Sequence, residues 1–261
     1  MRDDIRDYLA ELVRRAREVL RDELVGAYAA GSIGLGAYQP GRSDVDVALL
    51  VAGPLPATAK RALVHRLRHE ALPCPARGLE LVAYRRDVAA SGTAEPGFEV
   101  ELNTGAAMPF RATYDPADRP AADGRFWYAL DRAILRRCGL ALLGPPAADA
   151  FAEPPPEALR ALLAEATRWW LARPTPPGDE PAPGAEDAVL GACRALVRCR
   201  DGVWLGKIDA GLRVAADDPD ASLIHASIAA RRGGPPPSGP AARAFQQRVL
   251  TRLTADEPAG A

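Results

Sequence analysis

Gly31-Ser32, followed twelve residues after the serine by Asp44-Val45-Asp46 and then by Val47-Ala48-Leu49-Leu50-Val51, is the stretch on which the fold of this chain turns. The run from Val45 to Val51 is apolar almost throughout and reads as a largely buried strand, entered through Ser43 and two acids. Side chains two apart on a strand point to the same face, so Asp44 and Asp46 present two carboxylates side by side at the strand entrance. Such carboxylates repel each other unless a cation sits between them. Magnesium, which prefers hard oxygen ligands and bridges carboxylates to phosphates, is the natural candidate. Gly31 permits close backbone approach, and Ser32 offers a hydroxyl and an N–H to a phosphate. An Asp pair alone is often only a turn; the Gly-Ser turn, the glycine-dotted linker, Ser43 and the apolar strand together make it a metal and phosphate site.

Working outward, Ile5 to Leu20 has apolar residues at helical spacing, and Leu24 to Ala30 is a short extended run. Thr58 to Leu72 reads as a helix stopped by Pro73 and Pro75. Strands are expected at Gly78–Tyr84 and Phe98–Leu102. Beyond Asp123 the pattern is helical: Phe126 to Leu143, Glu157 to Ala172, Glu186 to Arg200, Asp209 to Ala216, Ala221 to Ala230 and Ala241 to Leu253. The expected class is α+β, with a small mixed sheet and flanking helices over 1–150 and an all-helical domain over 151–261.

The chain has 261 residues, 48% hydrophobic and 26% charged, with 33 basic and 34 acidic residues and a net charge of −1. A balanced charge argues against general nucleic-acid binding. No apolar run approaches the length of a membrane span, and the charged N-terminus does not read as a signal peptide. The expectation is a cytoplasmic protein, a monomer, with no membrane or nucleic-acid partner. Cys74, Cys138, Cys193 and Cys199 lack zinc-ligand spacing and read as buried thiols, and His65 and His69, one helical turn apart, lack a third ligand. The tryptophans, Trp127, Trp169, Trp170 and Trp204, read as core or domain-interface residues.

Gly31-Ser32 with Ser43-Asp44-Val45-Asp46 resembles the nucleotidyltransferase fold of the polymerase-β type, and more narrowly the aminoglycoside adenylyltransferases that modify streptomycin and spectinomycin. Arg77-Gly78-Leu79-Glu80-Leu81-Val82 is similar to that family's third-carboxylate strand. Asp131-Arg132-Ala133-Ile134-Leu135 with Leu142-Leu143-Gly144-Pro145 resembles the helix closing its first domain. Val189-Leu190-Gly191-Ala192-Cys193-Arg194 and Gly206-Lys207-Ile208 look like its helical-domain signature.

The resemblance implies transfer of AMP from ATP to a hydroxyl of an aminoglycoside or aminocyclitol, with two magnesium ions as cofactor and a small-molecule acceptor as partner. It makes Asp44 and Asp46 the metal ligands and Glu80 either the third ligand or the general base; an exposed strand residue is the plainer reading of Glu80. Ser32 and Ser43 would hold phosphate oxygens, Asp131 would lie near the nucleotide, and Arg194 and Lys207 would reach the phosphates from the helical domain. Plainer readings are a solvated helix residue for Asp131, a surface ion pair for Arg194 and a helix start for Lys207. Glu99 and Glu101, read as sharing one strand face, either supply an acid, grip a cationic substrate or are exposed edge-strand charge. Glu186 and Asp187 are further candidates for a cationic acceptor. The chain departs from the family at Gly105-Ala106-Ala107, where a drug-packing tryptophan is expected, at Gly184 in place of an acid, at Gly211 in place of a lysine, and at Arg231 in place of an aromatic. The same chemistry on a protein, tRNA or metabolite, and a non-catalytic nucleotide-binding module, are the alternatives.

Overall fold

The structure, a computed structural model, describes residues 1–255. The chain divides into two compact units, Met1–Pro155 and Pro156–Ala261. In chain order the first contains α1 (Asp3–Leu20), β1 (Leu24–Ala29), α2 (Gly31–Gly34), β2 (Val45–Val51), α3 (Ala57–Leu67), β3 (Leu79–Arg85), α4 (Arg86–Ala89), β4 (Phe98–Gly105), β5 (Met108–Thr113), α5 (Phe126–Cys138), β6 (Leu140–Leu143) and α6 (Ala147–Ala150). It runs past the expected boundary at 150 because Phe151 stacks edge-on to Tyr28, 5.1 Å between centroids, and Ala152 N–H donates to the Ala89 carbonyl at 2.8 Å.

One six-stranded sheet, ordered β5-β4-β3-β2-β1-β6, organises this unit. It is mixed: β2 and β3 run parallel, and every other neighbouring pair is antiparallel. On one face Val45, Val47, Leu49 and Val51 join Leu79, Leu81, Val100 and Leu102 under α1 and α3, which contribute Ile5, Leu9, Leu12, Leu63 and Leu67. The α1 stripe at three- and four-residue spacing forms a helix because that spacing buries one side, and Asp3 and Asp4 in its first turn favour the helix dipole. The opposite face carries Tyr28, Ala48, Leu50 and Tyr84 against Tyr128, Leu135 and Phe151. Alternation places Asp46 and Glu80 on this second face, in the rows that Leu50 and Tyr84 continue.

Three local expectations change. The helix expected to reach Leu72 stops at Leu67, where Arg68 adopts extended backbone, and residues 68–72 fold into a turn with Leu72 N–H on the Arg68 carbonyl. The helix expected to reach Leu143 stops at Cys138, where Gly139 turns to extended backbone and its N–H closes the last turn on the Leu135 carbonyl at 2.7 Å. Leu140–Leu143 then pairs with β1 as an edge strand. Beyond Phe98–Leu102, β4 continues to Gly105 and turns back as β5. Gly105 is required there: a Cβ would lie 2.4 Å from the Arg77 carbonyl oxygen and from Gly78 Cα.

The second unit is built from α7 (Pro156–Leu171), α8 (Ala185–Asp201), α9 (Lys207–Ala215), α10 (Ala221–Ala230) and α11 (Gly239–Thr254). The α8 helix is its core, burying Val189, Leu190, Cys193 and Val197. Gly211 sits in that core, where a Cβ would come within 2.7 Å of Leu190 Cδ2. A larger side chain here would have to displace the ends of Leu190, Ile228 and Ile224.

Candidate active site

The site in the first unit begins at Gly31. Its φ of +50° is a left-handed conformation that glycine adopts without strain, and a Cβ there would fall 1.9 Å from an Asp46 carboxylate oxygen. The Gly-Ser turn therefore lies directly on Asp46, with Ala30 N–H donating to the Asp46 carbonyl at 2.9 Å. Ser32 Oγ is buried and has no hydrogen-bond partner among the described residues, a donor and acceptor left over for a ligand. Ser43 is buried and closes the preceding loop: its Oγ accepts from Gln39 N–H at 3.0 Å and its own N–H returns to the Gln39 carbonyl at 2.9 Å. The hydroxyl proton of Ser43 remains to be donated.

Asp44 and Asp46 are half-buried at the mouth of β2, and Asp46 is the direct register partner of Glu80 on β3. Protein packed around Glu80, followed by the charges of Asp46, Asp44 and Glu101, pushes its carboxyl up to about 8, against a smaller opposing pull from Arg111. Water still reaches the Glu80 side chain. A group both reachable and surrounded lies in a recess. Among the described residues, no three His, Cys, Asp or Glu side chains converge as a ready-made metal cage. Magnesium does not need one, since it keeps much of its water and takes one or two carboxylates plus substrate phosphate. The hard-oxygen donors, the mutual repulsion of the acids and the leftover Ser32 hydroxyl fit that ion.

Glu99 and Glu101 do not share a face and are not edge charge, because β4 is an interior strand and a bulge opposite Ala83 and Tyr84 leaves Glu99 out of the ladder. Glu99 is buried against Lys60 Nζ at 2.9 Å and accepts from Leu55 N–H at 3.1 Å. Glu101 is buried too. Arg119 Nη1 lies 2.6 Å from both its oxygens, Arg111 Nη2 lies at 3.1 Å, and Thr113 Oγ1 donates at 3.0 Å. Sequence reading missed Arg111 and Arg119: the first lies on the unrecognised β5, and the second carries no local pattern. Asp131 is exposed on α5, whereas its neighbour Arg132 is 1% exposed, donates to the carbonyls of Thr93, Glu95 and Pro96, and lies over the Tyr84 ring.

In the helical unit Glu186 is buried and accepts from Gly184 N–H at 3.1 Å, holding the start of α8. Asp187 Oδ1 pairs with Lys207 Nζ at 3.0 Å and with Arg231 Nη1. Lys207 opens α9; burial lowers its ammonium pKa, Asp187 opposes that, and the nearby charges of Arg231 and Arg194 reinforce it. Two cations thus meet on one carboxylate, with the charge of Arg194 near Lys207. His69 Nδ1 accepts from Cys74 N–H at 3.2 Å, and the four cysteines are free thiols. Trp204 is buried under Arg198, while Trp169 and Trp170 are half-buried beneath Arg173.

No described helix is long and apolar enough to cross a membrane. No protein-family model matches the chain, and no curated protein matches it. Among solved structures, the spectinomycin adenyltransferase AAD(9) from Enterococcus faecialis, crystallised with ATP and spectinomycin, is similar over 96% of this chain and 99% of its own, with a TM-score of 0.69 and 15% sequence identity. At that identity the likeness is one of fold. The chain shares the fold of that adenyltransferase, a mixed-sheet unit followed by a helical one.

Proposed function

We propose that this protein transfers AMP from ATP to a hydroxyl group of an aminocyclitol-type acceptor. The observation that carries the reading is the meeting of Gly31-Ser32 with Asp46 and Glu80 on adjacent parallel strands. The solved neighbour of the same fold was crystallised with a nucleotide and an aminocyclitol drug, which supports the choice of donor and acceptor.

Asp44 and Asp46, with Glu80 as third ligand or base, would hold magnesium. When bound, the metal neutralises charge that develops on the transferring phosphate and the departing pyrophosphate. Ser32 Oγ and the Ser43 hydroxyl donate to phosphate oxygens. Gly31 keeps the backbone close enough for Asp46 and the phosphate to share one place. As the base, Glu80 would take the acceptor hydroxyl's proton, for which it must be ionised; a magnesium ion on Asp44 and Asp46 would offset the repulsion that raises its carboxyl and return it to the carboxylate. In the helical unit Lys207 and Arg194 are assigned to the triphosphate, with Asp187 holding the lysine in place until phosphate oxygens compete for it. Asp131, exposed on α5, retains only its implied place near the nucleotide.

Mass spectrometry after incubation with ATP, magnesium and a panel of aminocyclitols and aminoglycosides tests this directly, with Asp46→Asn as control. An adduct of one AMP on a drug, absent with the variant, is the expected result. Equal turnover by Asp46→Asn sinks the metal assignment. No adduct on any drug moves the acceptor to a protein, RNA or metabolite.

A further inference from the structure

Three of the acids that could grip a cationic acceptor are neutralised by the protein itself. Glu99 is paired with Lys60, Glu101 with Arg119 and Arg111, and Asp187 with Lys207 and Arg231. A cation, in contrast, stands beside the candidate base. Glu80 pairs with Asn103 in the β3–β4 ladder, and Asn103 pairs with Arg111 in the β4–β5 ladder. Asp46, Glu80, Asn103 and Arg111 therefore follow one another across four strands on one face of the sheet. On the transfer reading, nucleotide and metal take the Asp46 side of Glu80, and an acceptor takes the side of Asn103 and Arg111.

Arg111 is built to keep its charge there. Its side chain is 40% exposed, with Nη2 on Glu101 at 3.1 Å and Nη1 3.6 Å from Asp123. Its Nε–H is buried and has no hydrogen-bond partner among the described residues. Arg119, 7% exposed, already bridges Glu101 and approaches Asp123 at 3.8 Å. The two guanidiniums balance the two carboxylates, so the group as a whole offers no negative charge to an incoming ammonium.

We propose that Arg111 sets the charge of the acceptor: beside Glu80 the site takes a hydroxyl-rich acceptor of low positive charge, whose oxygens meet the guanidinium, and turns away polycations. This rests on the transfer reading above, because it places the acceptor by the base it must reach. Removing Arg111 leaves Arg119 facing two carboxylates and gives the wall a net negative charge. One unit charge at the distance of a bound acceptor, partly screened, is worth about tenfold in affinity.

The test is titration calorimetry of neomycin, a polycation, and spectinomycin, an aminocyclitol of lower charge, into the wild-type protein, Arg111→Gln and Arg111→Lys at low and high salt. Arg111→Gln is expected to bind neomycin about tenfold more tightly than wild type at low salt, with the gain fading as salt rises and spectinomycin affected less. Arg111→Lys keeps the charge and is expected to behave as wild type, which separates charge from packing. Unchanged neomycin affinity in Arg111→Gln, or a lysine variant that matches the glutamine one, overturns the proposal. Calorimetry needs no turnover. Failure of the transfer reading shows up separately as the absence of an AMP product, and the binding comparison still decides the role of Arg111.

Discussion

Replacing Glu80 with glutamine removes one charge from a crowded group of acids while keeping size and hydrogen-bonding capacity, and it separates the demands of the site from those of the fold. The Glu80 carboxyl is raised from 4.5 to about 8 by the surrounding protein and by Asp46, Asp44 and Glu101. Expressed in full, a displacement of that size corresponds to about 5 kcal/mol between the two protonation states. Water reaches the Glu80 side chain and screens its neighbours, so about 1–2 kcal/mol is expected as stability. The sign follows from proton binding. Below pH 4.5 the group is protonated in both folded and unfolded chains. Between 4.5 and 8 the folded chain binds more protons than the unfolded one, so stability falls as pH rises, and above 8 the full penalty applies. Thermal unfolding in EDTA is the assay. Glu80→Gln is expected to match wild type near pH 5 and to melt about 3–6 °C higher at pH 8. Added magnesium is expected to raise the melting point of wild type more than that of the variant, since it relieves a repulsion that the variant lacks. A variant no more stable than wild type at pH 8 without metal refutes the reasoning, as does a gap that fails to close as pH falls.

Other expectations are simpler. Gly31→Ala places a methyl group on the Asp46 carboxylate at a left-handed backbone position, so it is expected to cost about 1–2 kcal/mol of stability in urea unfolding. Its transfer rate should fall about 100-fold, since a displacement of one ångström at a reacting centre costs that much; near-normal turnover would show that the turn does not position Asp46. Arg132→Met keeps much of the bulk under Tyr84 but strands the carbonyls of Thr93, Glu95 and Pro96. It is expected to destabilise the first unit by about 2–4 kcal/mol, and a loss below about 1 kcal/mol would mean that water or a rearranged loop replaces the guanidinium.

Much of the fold is legible in local pattern. The α1 stripe, the apolar β2 run and the helices of the second unit announce themselves because a 3.6-residue or two-residue period is a property of neighbours in sequence. Asp46 belongs to this group: the strand period puts it on the face of Ala48 and Leu50, whereas Asp44 stands one residue before β2. The β6 strand was illegible for the opposite reason. Leu140-Ala141-Leu142-Leu143 continues the apolar pattern of α5, and only the extended backbone at Gly139 and the open edge of β1 turn it into a strand. Extending a helical pattern past its true end fails in the same way at α3, where Arg68 leaves the helix and the next residues bond back as a turn.

The chemistry around the acids divides along the same line. Carboxylate spacing and the Gly-Ser turn follow from the order of residues, because each needs only local chain geometry; Glu80 meets Asp46 only through the parallel pairing of β3 with β2 across the α3 crossover. Which acids remain available is a matter of partners far away in the chain. Glu101 is matched by Arg119 and Arg111, Glu99 is turned out of the ladder by a bulge and met by Lys60, and Asp187 is claimed by Lys207 and Arg231. Sequence alone determined which face of β2 carries Asp46. Tertiary structure decided which of the other charges are cancelled, since neutralisation depends on distances between side chains that only folding brings within reach.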